Sequence, residues 1–506
     1  MRGVPSRSAS IPPPVGGWDT ENALADMPQE NAVILDNWFP GTDKVTLRRG
    51  YTPHVTGLSG NVETLLEYAP QSGSAQLFAV NDGKVYDVST SGSVGSALVS
   101  GLLNSRFQHV QIGTAGGHFL IAMNGQDTPL LYDGSSWGTA SITGPTAANL
   151  VWCNLHQRRL WFGERDSLKA WYLAVNSIAG TASSFSLAGV ARLGGYIMAM
   201  GTWTRDGGDG TDDVAVFITS EGEAIIYQGT DPSDAATWSL VGVFRIGRPI
   251  GRRCIIKAGA DLVMITQDGF VAASSILSLD RSQTQRVALS AQINKAVNDA
   301  QRSFGALYGW QPIIYPRGAM LIFNIPQTST RFHQYVFNTL TGAPCRFTGI
   351  DAVCWSLLGE NIYFGGSDGT IYRFDTEGGD NGSNIEGDAL QAFSYFRSPG
   401  ASKAFKLVEP VFQSNGNPNA AIDLYTDFRI TPPTSQPTPS ASTNSAKWGV
   451  SKWGIGTWGA ADQIYSGWRG IRGMGRSAAL RVRVASQVAR PSWVATNLTF
   501  IPGGQI

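Results

Sequence analysis

Residues 77–87, Leu-Phe-Ala-Val-Asn-Asp-Gly-Lys-Val-Tyr-Asp, contain the pattern from which the fold can be predicted. A short apolar run reaches a polar turn with glycine and is followed by a second apolar run with an aromatic residue, which is typical of a β-hairpin. Six later segments repeat the pattern, at 119–133, 160–172, 214–227, 262–271, 320–337 and 362–375. The chain is therefore expected to contain about seven successive hairpins.

The spacing of these hairpins indicates a β-propeller. Their turns lie at positions 83, 125, 166, 222, 269, about 328 and 369, so the intervals are 42, 41, 56, 47, about 59 and about 41 residues. A four-stranded propeller blade takes ~40 to 50 residues. We predict about six to eight blades over residues 51–396. An irregular β-sandwich is the alternative, because such hairpins occur in any antiparallel fold.

The two long intervals contain insertions. One holds the polar loop 205–213. The other holds the only convincing helical pattern, which predicts a helix near 284–304. Its apolar positions are Leu289, Ile293, Val297, Ala300 and Phe304.

The two ends of the chain depart from the repeat. Residues 1–50 are rich in Pro and Gly and are predicted to be an extended arm leading into the first strand. From Ala389 the predicted strands become long, and we expect residues 397–506 to form a basic β-sandwich platform. The Pro-rich tract 431–439 within it predicts an exposed loop.

Charge is balanced overall but unevenly distributed. The 38 Lys and Arg equal the 38 Asp and Glu, which excludes a protein whose whole surface binds nucleic acid. Residues 397–506 hold twelve basic and four acidic residues, a net charge of +8, so residues 1–396 carry −8. Arginine outnumbers lysine 29 to 9, which suits bidentate contacts at interfaces and with phosphate.

Several classes of protein are not indicated. The chain has no run of about 18 apolar residues and no apolar segment near its N-terminus, so neither membrane insertion nor secretion is expected. Its four scattered cysteines form no CxxC and predict core thiols in a reducing cytosol. Neither a catalytic motif nor His ligand spacing is present, so we expect no enzyme, no cofactor and no metal.

Two weaker alternatives stay open. Ser367-Asp368-Gly369-Thr370 resembles half of an Asp box, which leaves a propeller glycosidase possible. The acidic loop could offer oxygen ligands to Ca²⁺, although it lacks EF-hand spacing and a solvated loop is favoured. Its carboxylates belong to Asp206, Asp209, Asp212 and Asp213.

Tryptophans and arginines alternate in the C-terminal part, where we predict contact with DNA or with a partner protein. The residues are Trp448, Trp453, Trp458, Trp468, Arg469, Arg472, Arg476, Arg481 and Arg483. The alternative is that the tryptophans anchor a loop on the platform or on a neighbouring subunit. A spacing of five places successive tryptophans on opposite faces of a strand, which argues against a continuous stacking surface.

Three stretches near the N-terminus carry a family resemblance: Pro-Pro-Pro-Val-Gly-Gly-Trp-Asp at 12–19, Ala-Val-Ile-Leu-Asp-Asn-Trp-Phe-Pro at 32–40 and Val-Thr-Leu-Arg-Arg-Gly-Tyr at 45–51. They resemble the opening of the tail nozzle proteins of short-tailed phages, also called the tail tubular protein B or packaged-DNA-stabilisation family. The motif covers only residues 12–51, whereas the layout of propeller and platform covers most of the chain.

The resemblance implies a structural virion protein that is made in the host cytoplasm and placed at the distal end of the tail. It would form a homo-oligomeric ring, a hexamer, bound to the tail adaptor and other tail proteins. The ring would continue the DNA channel, retain the packaged genome, open for ejection and let double-stranded DNA pass. No family catalytic residue exists to transfer, and the alternative function is a receptor- or glycan-binding propeller of a phage tail.

Three features of the sequence agree with such an assembly. A charged content of 15% suits surfaces covered by other subunits. The Pro-rich residues 1–17 suit a strap onto a neighbour, and an acidic propeller suits a channel that DNA does not adhere to.

Overall fold

A β-propeller joined to a two-sheet platform forms the fold. The computed structural model describes residues 6–204, 213–278, 288–439 and 462–505. Seven blade positions surround one central cavity, and the first strand of each contributes to its wall. Six of them are separate sheets, and the remaining position is filled by four strands of a larger sheet that continues into the platform. The predicted all-β propeller with a β-rich platform is confirmed.

The blades are numbered here in chain order, and their strands are given from the cavity outward. Blade 1 is Thr64–Tyr68, Gln76–Asn81 and Lys84–Asp87, and blade 2 is Gln108–Thr114, Gly117–Met123, Leu130–Tyr132 and Trp137–Thr139. Blade 3 is Leu150–His156, Arg159–Glu164, Lys169–Tyr172 and Ser183–Ser186, and blade 4 is Ile197–Trp203, Val214–Thr219, Glu223–Gly229 and Trp238–Arg245. Blade 5 is Ile255–Ala258, Asp261–Thr266 and Gly269–Ala272. Blade 6 is Gln311–Tyr315, Met320–Pro326, Phe332–Asn338 and Pro344–Phe347, and blade 7 is Ala352–Leu358, Asn361–Gly366, Ile371–Thr376 and Gly50–Thr56. Two short parallel pairings add Gly92–Ser93 to Gly50–Thr56 and join Ile142–Thr143 to Gly180–Thr181.

Every predicted hairpin is the second and third strand of one blade. The turn glycines adopt the left-handed conformation that favours glycine, with φ of 67° at Gly83 and 79° at Gly369. A Cβ at Gly369 would also collide with the carbonyl oxygen of Leu58. The turn glycines thus determine where the second strand of a blade ends and the third begins.

The N-terminal part of the chain closes the propeller. Gly50–Thr56 pairs antiparallel with Ile371–Thr376 and so becomes the fourth strand of blade 7. A Cβ at Gly50 would collide with the carbonyl oxygen of Gly379, so the backbones approach too closely there for a larger residue. The first and last parts of the propeller sequence therefore lie in one sheet.

Blade 6 extends directly into the platform. Its outer strand, Pro344–Phe347, pairs in parallel with Asn31–Asp36 through Arg346 and Asp36. The sheet then continues through the strands Ile385–Gln391, Ala478–Ser486 and Ala421–Thr426, and Gly17–Trp18 pairs with Asn31–Asp36. We call this nine-stranded sheet the shared sheet, because it belongs to both the propeller and the platform.

A second sheet, here called the outer platform sheet, packs beside it. Its two long strands, Ala401–Ser414 and Ser492–Gln505, pair with each other. Arg7–Ile11 and Val45–Leu47 add to Ser492–Gln505, and Trp38–Pro40 adds to Val45–Leu47. Gln463–Tyr465 and Arg469–Gly475 add to the other side of Ala401–Ser414. The platform thus draws strands from both ends of the chain, and residues 7–11 pair with their own chain.

The helical insertion lies between blades 5 and 6. A 3-10 turn, Ala291–Ile293, leads into the helix Asn294–Phe304, which buries Val297 and Ala300. Leu289 is 42% exposed and precedes the helix, and residues 284–287 of the predicted insertion lie outside the described residues. A short helix, Ala273–Ser278, also follows blade 5, and two further 3-10 turns are Ala147–Asn149 and Pro316–Gly318.

The largest core cluster spans propeller and platform. It includes Phe323 of blade 6 and Trp355 of blade 7, together with Trp38 and Trp493 of the outer platform sheet. Trp38 and Trp493 are fully buried, with ring centroids 6.3 Å apart. Apolar packing therefore joins the two parts in addition to the shared sheet.

Candidate functional site

The described residues of the predicted Trp and Arg series divide between two faces of the platform. Arg469–Gly475 is an edge strand of the outer platform sheet and pairs with Ala401–Ser414 only. Successive side chains in a strand alternate between faces. Arg472 and Met474 therefore share one face, on which Met474 is 71% exposed, and Arg476 is exposed in the bend directly after the strand.

The opposite face of this strand packs inward. A Cβ at Gly473 would lie 2.7 Å from the Leu424 side chain, and Arg469 donates a hydrogen bond to the carbonyl oxygen of Ala420. Trp468, just before the strand, is 48% exposed. The exposed face is thus formed by alternate residues.

A lysine that the sequence analysis missed joins the exposed face. Lys406 lies at an irregularity in the pairing, where Phe405 pairs with Gly473 and Leu407 pairs with Gly470, so that Lys406 is opposite Ile471 and Arg472. Lys406, Arg472 and Arg476 are exposed, and in the part of the chain that the structure describes no carboxylate lies within 4.0 Å of their charged nitrogens. We call these three residues the basic face.

Arg481 and Arg483 are instead neutralised on the shared sheet. Arg481 donates two hydrogen bonds to Asp388, at 2.8 Å and 2.5 Å, and these bonds raise the pKa of the guanidinium. Arg483 lies 3.7 Å from Asp423 and donates to the carbonyl oxygen of Ser435. Both arginines therefore stabilise the platform and are not available to a partner.

The remaining predicted site residues are placed as follows. Trp448, Trp453 and Trp458 lie outside the described residues, as do Asp206, Asp209 and Asp212 of the acidic loop. Asp213 is 7% exposed and borders the central cavity of the propeller. Among the described residues, no group of three or more His, Cys, Asp or Glu side chains could hold a metal ion.

The central cavity has a volume of about 900 Å³ and a wall that mixes apolar side chains with polar and basic ones. Its lining includes Gln108 and Asn154 and the cations Arg158, Arg252 and Lys257. Of the described residues that line it, Asp213 alone is a carboxylate. The cavity is therefore suited to polar or anionic groups, and its described wall lacks the pair of carboxylates that a glycosidase needs.

Arg253 closes the cavity at the end where the inner strands begin. It lies between blades 4 and 5 and donates to Thr64 Oγ1 at 2.7 Å and to the carbonyl oxygen of Phe107 at 3.0 Å, across the cavity on blades 1 and 2. The guanidiniums of Arg253 and Arg106 lie 5.3 Å and 4.3 Å from the Tyr308 ring centroid. Burial raises the pKa of Tyr308 to about 12. These groups form a plug, which the scattered positions of its members hid from sequence analysis.

The segment with the family resemblance lies at the junction of propeller and platform. Arg48, whose side chain is fully buried, donates to both carboxylate oxygens of Asp380 at 2.7 Å. It also donates to Asn37 Oδ1 at 2.8 Å and to the carbonyl oxygen of Thr348, which follows blade 6. Asn37 adopts a left-handed φ of 62°. This network ties the Asn-Trp-Phe-Pro and Arg-Arg-Gly stretches to the last two blades.

A row of charges crosses the shared sheet beside this network. Arg346 of blade 6 donates to Asp36 at 2.7 Å and 2.6 Å, and Asp36 is the cross-strand partner of Asp388. Burial raises the pKa of the Asp36 carboxyl although Arg346 opposes the shift. With Arg481 on Asp388, two partly buried acids are thus held between two arginines.

The cysteines and histidines are packed side chains. All four cysteines are free thiols, and burial raises the pKa of Cys254 to about 12 and of Cys354 to about 11. Burial likewise lowers the pKa of His109, His156 and His333 to about 4. Thiols and imidazoles with such pKa values are unreactive and neutral at pH 7.

Comparisons with known proteins find distant structural similarities alone. No family model and no curated protein matches the chain. Among solved structures, it is similar to BBS1N in complex with ARL6DN, with a TM-score of 0.41 and 10% identity over 66% of this chain and 99% of that one. It is also similar to the computationally designed Ika8 protein, with a TM-score of 0.36 and 12% identity over 69% and 98% of the two chains. Within the described residues, no helix is long and apolar enough to cross a bilayer.

Proposed function

We propose that this chain is a structural protein of a short phage tail, without enzymatic activity. Copies would form a closed ring that continues the DNA channel, retains the packaged genome and opens for ejection. The observation that carries the proposal is the place of residues 12–51, the segment that resembles tail nozzle proteins. This segment supplies strands to the shared sheet and the outer platform sheet and leads into the closing strand of blade 7.

The continuous sheet and core support a role in which the protein has to withstand mechanical force. The shared sheet and the largest core cluster both run from propeller to platform, so one copy forms a single packed unit. A ring component at the end of a tail has to resist the pressure of packaged DNA without unfolding. A continuous sheet meets that need better than two domains joined by a linker.

DNA would pass along the axis of the ring and not through the propeller. The plug of Arg253, Arg106 and Tyr308 crosses one end of the central cavity. Several copies placed around a common axis would leave a wider channel between them.

Electron microscopy of the purified protein tests the proposal, with and without extract of the corresponding virions. We expect closed rings, on their own or bound to the tail adaptor, with six copies. Analytical ultracentrifugation would give the number of copies independently. A protein that stays monomeric and never joins a particle would overturn the proposal.

A receptor- or glycan-binding propeller is the second candidate, favoured by the polar central cavity with one closed end. Here a glycan array should retain the purified protein, and replacing Asn154 in the cavity wall should abolish the retention. Rings that bind no glycan would argue against this candidate and leave the first one intact.

A further inference from the structure

We propose that the basic face of the outer platform sheet binds the phosphate backbone of duplex DNA, weakly and without sequence preference. The inference rests on the proposed function and names the surface with which the protein would contact the DNA it retains. Three observations on the described residues support it. The cations of the basic face have no carboxylate partner among these residues, they are exposed together, and they differ in this from the paired Arg481 and Arg483.

The first observation is a pair of like charges. Lys406 and Arg472 lie on adjacent strands at the irregularity between the pairs Phe405–Gly473 and Leu407–Gly470, and no described carboxylate lies within 4.0 Å of either charged group. Like charges that face each other across strands destabilise a sheet. A polyanion between them would remove this repulsion, which gives the face a preference for phosphate over solvent.

The second observation is the open geometry of the face. Gly470 carries no side chain there, and a Cβ at this position would meet no atom within 4 Å. Arg472 lies in the strand and Arg476 in the bend after it, four residues further on, so the two are at most about 13 Å apart at the usual rise of about 3.3 Å per residue. An exposed edge with separated cations fits a regular backbone of phosphates better than it fits one small anion.

The third observation is the contrast with Arg481 and Arg483. Each of these has a carboxylate partner on the shared sheet, whereas Arg472 and Arg476 have none among the described residues. Contacts from so few cations fit a protein that retains DNA and later releases it, because affinity and its salt dependence grow with the number of phosphates neutralised.

The test is a salt titration of DNA binding by the purified full-length protein. Fluorescence anisotropy with a labelled duplex of about 30 base pairs gives the binding constant between about 50 and 200 mM salt. Each neutralised phosphate contributes about 0.9 to the slope of log K against log salt. The variant Lys406→Gln/Arg472→Gln/Arg476→Gln should therefore lose about 2.7 from the slope.

The matched control is Lys169→Gln/Arg245→Gln/Lys295→Gln, which removes the same charge from exposed positions of the propeller and the inserted helix. It should keep the slope of the unchanged protein. Equal slopes in both variants would overturn the proposal. An unchanged thermal midpoint would show that each variant folds, since exposed unpaired side chains contribute little to stability.

Three further outcomes distinguish DNA binding from contact between copies. If the basic-face variant keeps its DNA binding but no longer forms rings, the face is a contact between copies and the DNA proposal is wrong. If rings form and DNA binding is lost only in the basic-face variant, both proposals stand. If no rings form but the slope still depends on the basic face, the tail function fails and the DNA surface remains.

Discussion

Arg48 is the residue on which the junction depends most. Its side chain has no exposed surface, and its hydrogen bonds reach Asn37, Thr348 and Asp380, which belong to three different parts of the chain. A planar guanidinium can satisfy these acceptors at once, which a lysine cannot do. The segment around Arg48 is thus held at the junction by a buried bidentate ion pair.

Replacing Arg48 with methionine should strongly destabilise the protein. The substitution leaves the largely buried carboxylate of Asp380 without its partner, and breaking such a pair costs about 3 to 5 kcal/mol. The free energy of unfolding from urea titration measures the change. The control is Arg248→Met, which removes an exposed pair with Glu221 worth less than about 1 kcal/mol. Similar losses in the two variants would contradict the assigned role of Arg48.

His156 should make the protein less stable in acid. Burial lowers its pKa to about 4, whereas an unfolded histidine has a pKa of about 6.5. The unfolded chain therefore takes up the proton first, and stability is lost as the pH falls from about 6.5 towards 4. Between pH 7 and pH 5 the loss from this residue is about 2 kcal/mol.

The variant His156→Gln isolates this effect because glutamine does not titrate. Its free energy of unfolding should fall by about 2 kcal/mol less than that of the unchanged protein between pH 7 and pH 5. Urea titrations at the two pH values measure the difference. An identical pH dependence in both proteins would show that His156 is not responsible.

At the scale of elements, the strand Gly50–Thr56 decides whether the propeller closes. It completes blade 7 by pairing with a strand more than 300 residues later in the chain, through contacts such as Tyr51 with Phe374. Gly50 lies against the backbone of Gly379, and its φ is not in the left-handed region. Any effect of a side chain there is therefore steric.

Gly50→Ala should destabilise the protein by about 1 to 3 kcal/mol, the usual cost of overpacking against backbone. Gly138→Ala is the control, because Gly138 also lies in an outer blade strand but a Cβ there meets no atom within 4 Å. The control should be neutral or slightly stabilising. Thermal midpoints of the two variants give the comparison, and a harmless Gly50→Ala would disprove the close approach.

The hairpins were predictable and the closure was not, for a physical reason. The alternation in residues 77–87 and the left-handed glycine at Gly83 are local features, which a sequence displays directly. The pairing of Tyr51 with Phe374 depends on where two distant segments meet, and neither carries a local signal for the other. Sequence analysis therefore predicted the blades but not the strand that completes the last one.

The candidate site shows the same limit. Arg472, Arg476, Arg481 and Arg483 look equivalent in the sequence. Asp388 neutralises Arg481 from a strand about 90 residues earlier, and Lys406 reaches the exposed face only through a local irregularity in strand pairing. The alternation of side chains along a strand could have shown which arginines of one strand share a face. It could not have shown which of them pair with a carboxylate, because those carboxylates come from distant parts of the chain.

At the scale of the whole molecule, propeller and platform should unfold together. The largest core cluster contains residues of both, and the shared sheet crosses between them. Differential scanning calorimetry should therefore show one heat-absorption peak, as for a single cooperative unit. Two separate peaks would mean that the junction is weaker than its packing indicates.

The shared sheet has a mechanical consequence. The segment from Asn31 to Thr56 supplies strands first to the platform and then to blade 7. About 25 residues of continuous backbone therefore connect the platform to blade 7. A force that pulls the propeller away from the platform acts on this backbone segment and on the paired strands of the shared sheet. These strands would have to slide along one another before they separate. Bending at an internal hinge would break the sheet, so propeller and platform are expected to move as one rigid body.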